Sequence, residues 1–166
     1  YLAGTYTGVS GNFNGFCLEL TETIQEPNAY TYKVVPLSVA PDGDGLFTFP
    51  LGAAGADLLS ELWGRWHGTL DISNANDCAA FQIAIWEIVY DANLILNNAG
   101  DSLIIGAPAP VLTQAQFYLD SLDGTGPRAV LEAFTHPTAQ DQVIPTPGAL
   151  ALLGMGGLAA VRRRRR

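Results

Sequence analysis

The fold of this chain is decided by the stretch Cys78-Ala79-Ala80-Phe81-Gln82-Ile83-Ala84-Ile85-Trp86-Glu87-Ile88-Val89-Tyr90. It is apolar on every face except at Gln82 and Glu87, which predicts a helix that is buried all round. The polar residues 71–77 immediately before it offer several N-cap side chains. The sequence therefore places a buried helix in the middle of the chain.

Two more helices are predicted on either side of this segment. Before it, apolar residues recur at helical spacing from Leu58 to Trp66 and predict an amphipathic helix over about residues 56–67. After it, residues 113–122 predict a third helix with Thr113 as its cap. The middle of the chain is therefore helical.

Short segments rich in aromatic and β-branched residues precede the helices, at residues 2–9, 15–20, 30–35 and 46–49. Residues 41–45 have turn chemistry, and residues 128–134 favour a closing strand. Strands, then helices, then a strand indicate an α+β fold. We expect a β-barrel or β-sandwich subdomain with an inserted helical subdomain. Residues 1–142 are long enough for one domain with its own core.

The basic residues at the end of the chain offset much of the acidic charge of the preceding domain. The formal net charge is −8, but five of the eight basic residues are the arginines at 162–166. Residues 1–161 hold Lys33, Arg65 and Arg128 against 16 acidic residues, a net charge of −13. Such a surface repels nucleic acid and anionic lipid headgroups, so neither is an expected partner.

The last segment, residues 143–166, has three parts: a Pro-rich element at 144–148, an apolar run to Val161, and the arginine cluster. From Ile144 to Val161 the segment has 18 residues, near the lower length limit for a spanning helix, and the arginines favour the cytoplasmic side. We therefore expect a single C-terminal transmembrane helix and an exported domain. An exported protein needs a leader peptide, and we expect one to precede Tyr1.

The three-part pattern resembles the PEP-CTERM sorting signal of Gram-negative bacteria. The resemblance assigns Pro145, Thr146 and Pro147 to the sorting motif and Arg162 to the start of the basic end. Thr146 stands where that family usually has Glu. The resemblance implies an exosortase of the inner membrane as a partner, removal of the tail, and release to the cell surface or extracellular matrix.

Motifs for turnover chemistry are absent from the sequence. It contains no G-x-S-x-G elbow, P-loop or dinucleotide fingerprint. His67 and His136 do not have metal-ligand spacing with each other or with a cysteine. We therefore expect neither an enzyme, nor a cofactor, nor a metal site.

Gln82 is the unusual residue, because an amide within a buried apolar helix needs hydrogen-bond partners or a special purpose. Phe16-Cys17-Leu18-Glu19 lies in an early strand, and Phe81-Gln82-Ile83-Ala84-Ile85-Trp86 lies in the buried helix. Together these strings resemble the bacterial thioester domains, also called Cys-Gln or TQXA-type adhesin domains. Phe81 replaces the Thr of the TQXA form.

The resemblance implies that the Cys17 thiolate attacks the Gln82 amide, releases ammonia and leaves an internal thioester. An amine on a partner surface could then displace Cys17, as in adhesion or biofilm formation. Apolar side chains would shield the bond from water, and Phe16, Phe81 and Trp86 are the nearest candidates in sequence. Each of these also fits plain core packing.

Cys17 has a competing partner. In an oxidising compartment a Cys17–Cys78 disulfide is the ordinary expectation. Cys78 and Gln82 are four residues apart and share one helix face, so one geometry could bring Cys17 close to both. The disulfide would imply a non-covalent structural or binding module. A domain that keeps the fold and has lost the chemistry, and a secreted enzyme, are further alternatives.

Overall fold

The computed structural model describes residues 2–6, 9–25, 30–41, 50–91, 93–97 and 105–146. Within these ranges the chain forms five strands and three α-helices. The strands are β1 (Leu2–Tyr6), β2 (Val9–Cys17), β3 (Lys33–Pro36), β4 (Leu131–Thr135) and β5 (Gln142–Pro145). The helices are α1 (Gly52–Trp66), α2 (Ala75–Tyr90) and α3 (Ala109–Asp120).

The strands form one antiparallel sheet in the order β1-β2-β5-β4-β3. β1 and β3 lie at its two edges, so the sheet is open. The predicted β-barrel or β-sandwich subdomain is therefore wrong for the described part of the chain. The helices are also not a separate subdomain, because they share one core with the sheet. The architecture is an α+β fold with a single sheet.

The two faces of the sheet differ in polarity, which explains this architecture. Phe16, Leu18, Ala133 and Val143 point to one face by strand alternation, and each is at most 2% exposed. This face packs against the helices in the main core. Among the residues whose side chains are described, the opposite face carries a small apolar cluster of Phe134 and Ile144 with Tyr32 beside it. Three helices are enough to cover the one strongly apolar face.

The three predicted helices are confirmed, but each begins at an earlier residue than predicted. α2 begins after Asn74, whose side chain accepts a hydrogen bond from the N–H of Asn76. α1 begins at Gly52, earlier than predicted, where a φ of +64° suits glycine. α3 begins after Pro108 instead of Thr113. Pro110 in its first turn has no N–H to lose, because first-turn N–H groups have no helical partner.

The strand boundaries differ more. The predicted strand over 2–9 is a hairpin, since β1 ends at Tyr6 and β2 begins at Val9. β2 ends at Cys17, and the closing strand β4 runs from Leu131 to Thr135. The predicted strand at 46–49 lies outside the described residues. β5 was assigned to the tail in the sequence, yet it lies between β2 and β4. Hence the folded domain extends beyond residue 142.

The predicted C-terminal transmembrane helix is also corrected. Among the described residues, no helix combines the length and the apolar character needed to cross a membrane. The apolar run at 148–161 lies outside those residues. The first residues assigned to the tail, Val143 and Ile144, are at most 2% exposed in the sheet. Their apolar character therefore belongs to the domain core.

A buried carboxylate ties α1 to the loop after α3. Glu61 is 1% exposed and accepts hydrogen bonds from Arg65 and from the N–H groups of Gly124 and Gly126. Burial alone raises the pKa of Glu61, but these donors and the Arg65 charge outweigh it and lower the pKa. Arg65 also pairs with the exposed Asp123. The network fixes one end of the helical layer.

Candidate functional site

Cys17 is the last residue of β2, at a point where the strand is covered on one side only. On the β5 side, Cys17 lies opposite Gln142, and the next N–H, that of Leu18, donates to the Asp141 carbonyl at 2.8 Å. On the other side the register with β1 ends at the pair Leu2 and Gly15. Among the described residues, the partner of the Cys17 main chain on that side is therefore not β1.

Gln82 of α2 supplies that partner. The N–H of Cys17 donates to Gln82 Oε1 at 2.9 Å, and Gln82 Nε2 donates to the Cys17 carbonyl at 2.8 Å. The side-chain amide thus pairs with β2 as the peptide group of a neighbouring strand would. This geometry satisfies the polar group that stood out in the apolar helix, and it brings the two predicted site residues together.

The same geometry is suited to acyl chemistry. The two hydrogen bonds hold the electrophilic carbon Cδ of Gln82 beside Cys17. The Cys17 N–H already points at Oε1, the atom on which negative charge develops when a thiolate attacks Cδ. Burial raises the pKa of the Cys17 thiol to about 11, so the thiol is protonated at neutral pH. Attack therefore requires removal of its proton.

The end of β2 is held firmly, which favours a fixed geometry. Gln140 Nε2 donates to the Glu19 carbonyl, and the Asp141 N–H donates to Glu19 Oε2 at 3.1 Å. The Leu20 N–H donates to the hydroxyl of Tyr90 on α2 at 2.9 Å. Both the strand end and α2 are therefore fixed on either side of the Cys17–Gln82 pair.

Two of the predicted shielding residues lie in the aromatic core on the helix-covered face of the sheet, opposite to the face that the Cys17 side chain takes by strand alternation. The rings of Phe16 and Phe81 lie 4.9 Å apart. His67 stacks on Trp63 at 4.2 Å and meets both phenylalanines edge-on. Burial lowers the pKa of His67, and its Nε2 is buried without a hydrogen-bond partner among the described residues. The sequence did not single out His67 as part of this aromatic core.

Trp86, the third predicted shielding residue, lies one helical turn after Gln82 on the same face of α2. Its indole Nε1 is buried and has no hydrogen-bond partner in the described part of the chain. Tyr90 follows after another turn and binds Leu20. Gln82, Trp86 and Tyr90 thus line α2 along the segment 17–20.

Cys78 is not bonded to Cys17 in this structure, and both are free thiols. The Cys78 sulfur lies 3.7 Å from the carbonyl oxygen of Ile72. Burial raises the pKa of its thiol too. The structure therefore joins Cys17 to Gln82 by hydrogen bonds and leaves Cys78 with a different contact.

Gln142 is a neighbour of Cys17 that the sequence did not reveal. It faces Cys17 in the β2–β5 register, so both side chains lie on the same face of the sheet, and it is 1% exposed. Its Oε1 lies 3.1 Å from the position that a Cβ on Gly15 would take. Gln142 was the last residue of the predicted domain, and because the residues after it were taken for the tail, no strand pattern marked it as a core residue.

The predicted sorting residues are only partly described. Pro145 pairs with Leu131 at the end of β5, and the Thr146 N–H donates to the Val130 carbonyl at 3.0 Å. Pro147 and Arg162 lie outside the described residues. The start of the motif therefore lies at the end of β5, the strand whose first residue, Gln142, pairs with Cys17.

Gln116 on α3 makes a contact of the same type. Its Oε1 accepts from the Leu96 N–H and its Nε2 donates to the Leu94 carbonyl, both at 2.9 Å. No cysteine occupies that loop. A reciprocal amide clamp can therefore be purely structural, and the adjacent thiol is what distinguishes Gln82.

No protein family, curated protein or solved structure matches this chain. Within the described ranges, no group of three or more His, Cys, Asp or Glu side chains is placed to hold a metal ion. The contact between Cys17 and Gln82 is consequently the feature of this fold that bears most directly on function.

Proposed function

We propose that this chain is an exported surface or matrix protein in which Cys17 and Gln82 form an internal thioester for covalent attachment to amines. The observation that supports it is the pair of reciprocal hydrogen bonds between the Gln82 amide and the Cys17 main chain. These bonds hold the Gln82 amide against the main chain of Cys17 and direct the Cys17 N–H at Oε1. Such proximity and orientation support the proposal.

The first reaction exchanges one bond for another. The sulfur of Cys17 bonds to Cδ of Gln82, the bond from Cδ to Nε2 breaks, and the thiol proton leaves with Nε2 as ammonia. The product stores an acyl group on Gln82. The aromatic core of Phe16 and Phe81 limits the access of water from the helix side.

In the second reaction an amine attacks Cδ, an amide forms, and the Cys17 thiol is released. Lys33 is the chain's sole lysine and lies on the edge strand β3. Three strand spacings separate β3 from β2, roughly 14 Å at the usual distance between strands. The domain is thus protected from its own lysine, and its acidic surface favours cationic amines.

Export is the second part of the proposal. It is supported by the resemblance of residues 143–166 to a sorting signal, with Pro145-Thr146-Pro147 and the arginine cluster as its recognisable parts. An exosortase is the proposed partner for this segment. Expression of the untagged chain, followed by fractionation and detection with an antibody against the folded domain, should recover the domain outside the inner membrane. Retention of the domain in the cytoplasm would contradict export.

Intact mass spectrometry of the purified protein tests the thioester. We expect a mass lower by one ammonia, restored to an adduct mass by methylamine, with the label mapped to Gln82. Cys17→Ala and Gln82→Ala should abolish the loss. Gln116→Ala removes a matched amide clamp, and Cys78→Ala removes the other thiol; both should retain it.

The competing disulfide gives a different pattern. It lowers the mass by two hydrogens, is reversed by reductant and disappears in Cys78→Ala. An unmodified mass together with free alkylation of Cys17 in the unfolded protein would refute the thioester. Gln82 would then be a structural clamp of the Gln116 type, and the domain a non-covalent module.

A further inference from the structure

The indole N–H of Trp86 is a buried donor with nothing to bind among the described residues. Burying a polar group without a hydrogen bond is unfavourable, and native tryptophans usually find a partner. Trp66 shows the ordinary case, because its Nε1 donates to Ser121 Oγ at 2.8 Å. The unused donor of Trp86 therefore needs an explanation.

Its place on the helix gives one. Long side chains on a helix point back towards its N-terminus and cover the preceding turn. For Trp86 that turn carries Gln82, four residues earlier. On the other side, Tyr90 is fixed by the Leu20 N–H. Gln82 and Tyr90 thus flank Trp86 by one helical turn on either side, on the same face of α2, and the Gln82 oxygen already binds the Cys17 N–H.

We propose that Trp86 is a catalytic residue that donates its indole N–H to the oxyanion formed at Gln82 Oε1. The inference rests on the proposed thioester. When Cys17 attacks Cδ, the carbonyl electron pair moves to Oε1, which then accepts two donors, the Cys17 N–H and the Trp86 N–H. The pair returns as ammonia leaves. The same oxyanion forms when an amine opens the thioester, so Trp86 serves both reactions.

In the ground state Oε1 accepts from the Cys17 N–H, and the Trp86 N–H has no partner among the described residues. Tetrahedral distortion moves Oε1 and increases its charge, and hydrogen bonds to such an atom tighten only as the transition state forms. A residue that only shields the bond would need an aromatic ring and no N–H. This difference separates the two roles of Trp86 experimentally.

The test measures the rate at which methylamine opens the thioester, followed by intact mass. Trp86→Phe keeps an aromatic ring and removes the donor, and we expect the rate constant to fall about 100- to 1,000-fold, the usual effect of losing one oxyanion donor. Trp66→Phe is the matched control, since its donor serves Ser121 far from Gln82 in sequence, and its rate should match the unaltered protein.

Replacement of Trp86 by its benzothiophene analogue, which exchanges N–H for sulfur in a ring of similar shape, covers the case in which Trp86→Phe does not fold. It should show the same slow opening. Opening of either variant at an unchanged or faster rate would overturn the role, because loss of shielding alone speeds the reaction. If the unaltered protein shows no ammonia loss, the thioester itself fails, and this result is distinct.

Discussion

Replacing Gln82 by Met in a protein that also carries Cys17→Ala isolates the structural share of the Cys17–Gln82 contact. The Cys17→Ala change removes the thiol and any thioester, yet it leaves the N–H and carbonyl that Gln82 binds. Met retains the length and apolar volume of the side chain and lacks the amide. The difference between single and double variants therefore reports the two hydrogen bonds.

The expected cost follows from the number of bonds. A neutral hydrogen bond contributes about 0.5–1.5 kcal/mol, so the loss of two should lower the free energy of unfolding by about 1–3 kcal/mol. For a domain of this size, about 2 kcal/mol corresponds to roughly 4–8 °C in Tm. Urea denaturation followed by tryptophan fluorescence measures the first quantity, and thermal unfolding by circular dichroism measures the second.

Gln82→Glu in the same background adds a pH test. At pH 7 the introduced carboxylate accepts from the Cys17 N–H but cannot donate to the Cys17 carbonyl, so about half of the stabilisation should be lost. Protonation restores the donor, so the folded-state pKa of the introduced carboxyl should be raised. The restored stability is then present at low pH and lost as the pH rises through that pKa, relative to Cys17→Ala alone.

Gln116→Met is the matched control, since it removes an equivalent clamp on Leu94 and Leu96. It should cost a similar free energy without affecting thioester formation. If Gln82→Met unfolds at the same urea concentration as its Cys17→Ala parent, the hydrogen-bonded contact on which the proposed function rests does not exist in solution.

Three other predictions concern the scaffold. Glu61→Gln should lower the free energy of unfolding by roughly 2 kcal/mol, because a carboxylate with charge-assisted donors is lost. Since the pKa of Glu61 is lowered in the fold, the difference in stability from the unaltered protein should shrink as the pH falls through that pKa. Equal stability of the two proteins at pH 7 would contradict the prediction. Gly64→Ala should cost about 1–3 kcal/mol, because the new Cβ meets the carbonyl of Pro127, whereas Gly68→Ala meets nothing within 4 Å and serves as the control in the same denaturation series. Burial lowers the pKa of His67, so the contribution of neutral His67 to the free energy of unfolding is present above the ordinary histidine pKa and is lost as the pH falls through the folded-state pKa. His67→Gln should therefore reduce the drop in stability between pH 7 and pH 5. An unchanged drop would show that His67 does not titrate in this way.

The local elements could be predicted because their causes are local. The apolar faces of α2 and the spacing of Leu59, Leu62 and Trp63 indicate helices wherever they occur. Gln82 stood out because a lone amide in an apolar helix has no local partner. The strand β5 could not be recognised, because a short apolar run beside prolines looks alike in a buried strand and at the start of an apolar tail.

By itself, the sequence determined the α+β class, the helices, the acidic charge of residues 1–161 and the pairing of Cys17 with Gln82 as a hypothesis. The tertiary structure decided what that pairing consists of. In the described residues the β1–β2 register ends at Leu2 and Gly15, and the Gln82 amide of α2 pairs with the main chain of Cys17. Sheet order and the position of Gln142 depend on contacts between distant residues, which no local pattern encodes.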